Sequence, residues 1–125
     1  MKNETNAKEE YYFNLINQLQ EEYNQVVDSL NEVNYSIYCL EELQNVKDEK
    51  EVLFPVLNGI LIEGKINKIN SVKMNVGAGV IVTKSVEEAI DFLKEKQKKL
   101  IAGAEEIKTQ IDAIIPLIEN QSNRD

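Results

Sequence analysis

Between Tyr12 and Leu40 the apolar residues advance by alternating steps of four and three: Tyr12, Ile16, Leu19, Tyr23, Val26, Leu30, Val33, Ile37, Leu40. This stripe constrains the fold more than any other feature. Its period lays it along one side of an α-helix, and it is narrow enough to demand a second stripe of the same kind. In heptad terms Ile16, Tyr23, Leu30 and Ile37 stand at a, with Tyr12, Leu19, Val26, Val33 and Leu40 at d. Asn, Gln, Glu and Ser fill most positions between them. One helix is expected over residues 9–46, roughly 55 Å long at about 1.5 Å per residue.

The partner stripe lies in the same chain. Ile90, Leu93, Gln97, Leu100, Ala104, Ile107, Ile111, Ile114 and Ile118 repeat the steps of three and four. Ser85 with Glu88 three residues on is a capping box, which sets a helix over residues 85–120. Glu87 and Glu88 also suit the positive end of its dipole. The "KEKQKK" run at 94–99 reads as a solvated face. Two stripes of similar length, joined by a short middle segment, predict an antiparallel coiled-coil hairpin. Three irregularities bear on it. Gln97 is a polar a residue that costs stability and fixes register. Gly103, beside Ala104, is a thin spot that could take Tyr23 or Val26 from across the seam. Pro116 is expected to distort the last turns.

The middle changes period. Val52, Phe54 and Val56, then Ile60, Ile62 and Ile66, then Val72, Met74 and Val76, then Val80 and Val82 fall on alternate positions, and many are β-branched. That is strand patterning. Turn-like stretches at 57–59, 67–71 and 77–79 divide it into up to four short strands arranged as hairpins. "NVGAGVIV" (75–82) raises the question of a phosphate loop. Such a loop follows a strand and opens a helix. Here Gly77 and Gly79 run into Val80-Ile81-Val82 and the helix waits until Ser85, so they are read as turn residues. A sheet this small is unstable alone and leaves edges that recruit other strands. Residues 52–84 are therefore expected to be an assembly platform. Its residues are Phe54, Val56, Ile60, Ile62, Ile66, Val72, Met74, Val76, Gly77, Gly79, Val80 and Val82.

Composition excludes several functions. The 125 residues suit one domain, and a net charge of −8 argues against nucleic acid and anionic membranes as partners. There is no histidine, which removes the commonest general base and metal ligand. Cys39 is the single cysteine, at a c position with nothing to activate it. Adjacent carboxylates such as Glu21-Glu22, Glu41-Glu42, Glu87-Glu88 and Glu105-Glu106 point in different directions on a helix. No enzyme, cofactor or metal site is expected. With no signal-like apolar start and no run of 18 apolar residues, the chain reads as cytosolic.

Apolar residues also collect at the far ends of the two helices: Tyr11, Tyr12, Phe13, Leu15 and Ile16 at one, Ile114, Ile115, Leu117 and Ile118 at the other. Tyr11, Phe13, Leu15, Ile115 and Leu117 fall off the stripe. They either grip a partner or lock the helix ends together.

The central block carries a family resemblance. "VLFPVLNGILIEGKI" followed by "SVKMNVGAGVIVTKSVEEAIDFL" is similar to the apolar-Pro-apolar-Gly strand, Gly-Lys-Ile, Val-Gly-Ala-Gly hairpin and capped Glu-Glu-Ala helix of the prefoldin family, alpha-type. The likeness covers residues 52–93; outside it only coiled-coil patterning is shared. Thr83-Lys84, where alpha subunits often carry an acidic residue, and the short tail after Pro116 depart from the pattern. The resemblance implies an α+β chain, a long antiparallel coiled-coil hairpin with two central β-hairpins that form an oligomeric β-barrel. It implies a hexamer of two alpha and four beta subunits, an ATP-independent chaperone that captures unfolded proteins with coiled-coil tips and delivers them to a group II chaperonin. It favours gripping over locking for the tip residues. Two rival readings are a coiled-coil adaptor or tether for a folded partner, and a homo-oligomeric holdase of the same family.

Overall fold

The computed structural model describes residues 2–122. The chain runs α1 (Lys2–Gln44), β1 (Lys50–Leu57), β2 (Ile60–Ile66), β3 (Ser71–Asn75), β4 (Ile81–Ser85) and α2 (Val86–Ser122). Two compact units share these elements. One combines α1 up to Glu32 with α2 from Gln97 on, and the other is Val33–Lys96.

Burial follows the stripes. On α1, Leu19, Val33 and Ile37 are buried, and Tyr12, Ile16, Tyr23, Val26, Leu30 and Leu40 are half-buried. On α2, Ile90 and Ile114 are buried and every other stripe position from Leu93 to Ile118 is half-buried. Most residues between them are exposed, as a narrow seam requires. The helix α1 starts at Lys2, ahead of the expected residue 9, because Ala, Lys and Glu continue the helix past the last stripe residue. It closes with short i→i−3 bonds: the N–H groups of Asn45 and Val46 donate to the carbonyls of Glu42 and Leu43, both at 3.2 Å.

The start of α2 is as expected. The Glu88 N–H donates to Ser85 Oγ at 3.0 Å, and the Ser85 N–H reaches back to Glu88 Oε1 at 3.4 Å. These two bonds satisfy free donors of the first turn, and hydrogen bonding to the carboxylate from the Ser85 side chain, then from its backbone N–H, holds the Glu88 carboxyl below its ordinary pKa. Pro116 lies inside α2, which continues to Ser122. Pro116 and Asp112 are both exposed, so water can meet the carbonyl that the proline leaves without a donor. One expectation fails: Gly103 does not take a bulky neighbour, for a Cβ built there would meet nothing within 4 Å.

In the second unit the core is Val33, Ile37, Val46, Val86, Ala89 and Ile90, with Ala89 only 1% exposed. Its strands form two separate two-stranded antiparallel sheets, β1–β2 and β3–β4. In the first, Val52 faces Gly64 and Phe54 faces Ile62, until a bulge between Pro55 and Leu57 shifts the register and pairs Leu57 with Ile60. In the second, Val72 faces Lys84 and Met74 faces Val82 without a shift. The expected alternation therefore holds over Val52, Phe54, Ile62 and Ile66 but not at Val56, which lies in the bulge.

Candidate functional site

The second hairpin is one-sided. Val72, Met74, Val82 and Lys84 share a half-buried face, while Lys73, Asn75, Ile81 and Thr83 occupy the exposed one. Val72 and Met74 line a groove with Cys39 and Leu40 of α1 and Ala89 and Leu93 of α2. The chain's own helices thus shelter this face.

The first hairpin has no such shelter. Leu53, Phe54, Val56, Leu57, Ile60, Leu61 and Ile62 are all exposed. Register puts Phe54 and Ile62 on one face, and Leu53, Pro55 and Leu61 on the other. Near the turn both faces carry apolar side chains, and farther along the second face also carries Glu63, Glu51 and Lys65. The Phe54 ring lies against Gly64 on its own side, where an added Cβ would come within 2.8 Å of the ring. A glycine lets the ring lie flat on the sheet. Glu49 and Lys65 approach to 3.5 Å at the other end of the hairpin, an exposed pair of little energetic weight.

Sequence reasoning missed Leu53, Leu57, Leu61 and Ile81, all exposed apolar residues of this unit. A period of two assigns Leu53, Leu61 and Ile81 to a solvated face, and Leu57 falls in the expected turn. The signal was the unbroken run "VLFPVL" and the "ILI" after the turn, since strands covered on both faces lose their alternation. Among the expected platform residues, Phe54, Val56, Ile60, Ile62, Val76 and Val80 are exposed, whereas Ile66, Val72, Met74 and Val82 are half-buried.

The glycine segment is the turn of the second hairpin and leads from strand to strand. The Val80 N–H donates to the Gly77 carbonyl at 2.9 Å, the Val76 N–H to the Val80 carbonyl at 3.0 Å, and the Gly77 N–H to Asn75 Oδ1 at 3.0 Å. The two central residues, Ala78 and Gly79, both have positive φ, the signature of a type I′ turn.

In the other unit, Tyr11 (63% exposed) and Phe13 (53%) protrude from α1, and Ile115 and Leu117 from α2. The Tyr11 and Tyr12 rings meet edge to face, 5.6 Å apart. Tyr12, Leu15, Ile16 and Ile118 are half-buried, and Ile114 is buried in the seam. Among the described residues, no group of three or more Cys, Asp and Glu side chains is arranged to hold a metal ion, and no helix is long and apolar enough to cross a membrane.

Comparison with known proteins gives one answer. A family model described as "Prefoldin subunit" matches residues 12–119. Prefoldin subunit alpha of Thermofilum pendens is 26% identical over 87 residues, 70% of this chain and 67% of that protein. Prefoldin subunit alpha of Thermococcus onnurineus is 41% identical over 61 residues, 48% of this chain and 42% of its own length. Human prefoldin subunit 5 is 35% identical over 69 residues, 55% of this chain and 45% of that protein. The matched stretch thus spans less than half the length of the latter two. A cryo-EM structure of filamentous PFD from Methanocaldococcus jannaschii shares the fold, with a TM-score of 0.76 at 24% identity, covering 98% of this chain and 99% of that one. With exposed hairpins and seamed helices of this kind, and a family model spanning nearly its whole length, the chain belongs to the prefoldin subunit family as an alpha-type member.

Proposed function

We propose that the chain is a subunit of an ATP-independent chaperone, which joins sister subunits through its hairpins and holds unfolded proteins with apolar side chains at the helix ends. In this reading the partners are beta-type subunits, in a hexamer of two alpha and four beta chains built on an oligomeric β-barrel. A group II chaperonin receives the client, and the cytoplasm is the place of work. The observation that carries client capture is the exposure of Tyr11, Phe13, Ile115 and Leu117 beside a seam that is already closed at Leu19 and Ile114. A lock would bury them. Exposed apolar groups bind any unfolded chain weakly, and several subunits acting together raise avidity by about 10²–10⁴.

A homo-oligomeric holdase is the second reading, favoured by the filamentous assembly of the structurally similar PFD. Changing Phe13, Ile115 and Leu117 together to Ser in the assembled complex tests client capture. Suppression of aggregation of an unfolded model protein should fall by about tenfold or more, with helicity unchanged. Undiminished suppression contradicts the proposal. An adaptor for one folded partner, the remaining rival, would show no suppression even in the unmodified protein.

A further inference from the structure

The turns of the two hairpins carry nearly the same φ values on different side chains. Leu57, Asn58 and Gly59 have φ of 111°, 55° and 77°, and Gly77, Ala78 and Gly79 have φ of 113°, 52° and 75°. L side chains rarely adopt the first of these values, so Leu57 strains its turn and Gly77 does not. Opening relieves that strain. The first turn therefore opens more often than the second.

The strained turn also carries a reactive pair. Asn58 is followed by a glycine, whose main-chain nitrogen has no Cβ beside it to hinder its approach. Both residues are exposed, and a Cβ built at Gly59 would meet nothing within 4 Å. Asn75, beside the other turn, is secured on both counts. Its Oδ1 accepts from the Gly77 N–H at 3.0 Å, and the N–H of the following Val76 donates to the Val80 carbonyl at 3.0 Å. Among the described residues none holds the Asn58 side chain in this way.

We infer that Asn58 is a site of self-modification, whose side-chain amide becomes a carboxylate by attack of the Gly59 nitrogen when the strained turn opens. The Gly59 nitrogen gives up its proton and bonds to Asn58 Cγ. The Cγ–Nδ2 bond breaks, and Nδ2 takes up a proton and leaves as ammonia. The product is a flat succinimide ring, which the turn must open to admit. Water then opens the ring at either carbonyl. Cleavage at Cγ leaves aspartate, and cleavage at the main-chain carbonyl leaves isoaspartate, with one more methylene in the backbone. One water is consumed and one ammonia released, with no change of oxidation state. Either product sets a negative charge in the middle of residues 52–62, a run without a charged side chain.

Dilute subunit held at neutral to mildly alkaline pH, then digested and weighed peptide by peptide, tests the site. Asn58 should show the mass change of an amide-to-acid exchange, with isoaspartate among the products. The rate should rise with pH, because the attacking nitrogen must lose its proton. Leu57→Gly relieves the strain and should slow conversion by about threefold or more. Ala78→Asn puts the same pair in the unstrained turn, and the amide it introduces should convert about threefold or more slowly than Asn58. An Asn58 that keeps its amide throughout, or yields aspartate without isoaspartate, overturns the inference. So does conversion as fast in Leu57→Gly as in the unmodified chain, since strain would then not govern the opening.

Discussion

The two hairpins of Val33–Lys96 have nearly the same φ values at their turns, yet they meet water differently. On β3–β4, Val72, Met74 and Val82 are half-buried, while Ile81 shares the exposed face with Lys73 and Thr83, and Val76 and Val80 stand exposed at the turn. On β1–β2, Phe54 and Ile62 on one face and Leu53 and Leu61 on the other are all exposed. The first hairpin therefore leaves apolar side chains open on both faces, the second on one face and at its turn. The contrast extends to the turns, where glycine takes the strained position in the second hairpin and leucine takes it in the first.

The contrast breaks if the two hairpins respond alike to charge. Leu61→Lys, on the exposed apolar face of β2, is expected to weaken assembly by about 100-fold or more, since an unpaired ammonium would enter the interface. Thr83→Lys, at an exposed polar position of β4 opposite Lys73, should change assembly less than threefold, a small surface effect. Native mass measured over a dilution series reads both, and equal losses would make the two hairpins equivalent partners.

The reverse experiment addresses the subunit itself. Met74→Asp places a carboxylate on the sheltered face and should destabilise the dilute subunit by about 1–3 kcal/mol, visible as a lower Tm. Its loss of assembly should be no greater than its loss of fold. An unchanged Tm would mean that β3–β4 is not part of the subunit's core.

Much of this was legible in the residues. The steps from Tyr12 to Leu40 and from Ile90 to Ile118 mark the seam because heptad spacing leaves a single way to bury those side chains. Ser85 and Glu88 mark the start of α2 because few other sequences satisfy a first turn so locally. The two-sided hairpin was hidden, since Val52, Phe54, Ile60 and Ile62 also satisfy an alternating pattern and so mask Leu53 and Leu61. The strain at Leu57 was hidden as well. Leu57 has a φ of 111°, nearly that of Gly77 at the same place in the other hairpin, and a leucine does not announce such a backbone. At the helix ends, spacing separates Ile115 and Leu117 from the stripe, but it took the closed seam to show that Ile114 is buried and they are not.

The smallest effect belongs to the junction between β4 and α2. Ser85→Ala removes the cap and should cost about 1 kcal/mol. Glu88 sharpens the point through pH. Its hydrogen bonds from Ser85 hold the folded pKa below the unfolded one, so its stabilisation is present above the ordinary glutamate pKa of about 4.3 and fades as pH falls through the folded value. The Tm difference between the unmodified chain and Glu88→Gln should therefore be present at neutral pH and close in acid. A gap that widens in acid would contradict the capping box.

Hydroxyl-radical footprinting of dilute and assembled protein tests the central claim most directly, because it reads side-chain exposure residue by residue. On assembly, oxidation of Leu53, Leu57 and Leu61 should fall several-fold, while Tyr11 and Phe13 stay reactive until an unfolded protein is added. If large particles form with those three leucines as reactive as in the dilute chain, the open hairpin is not the joint between subunits.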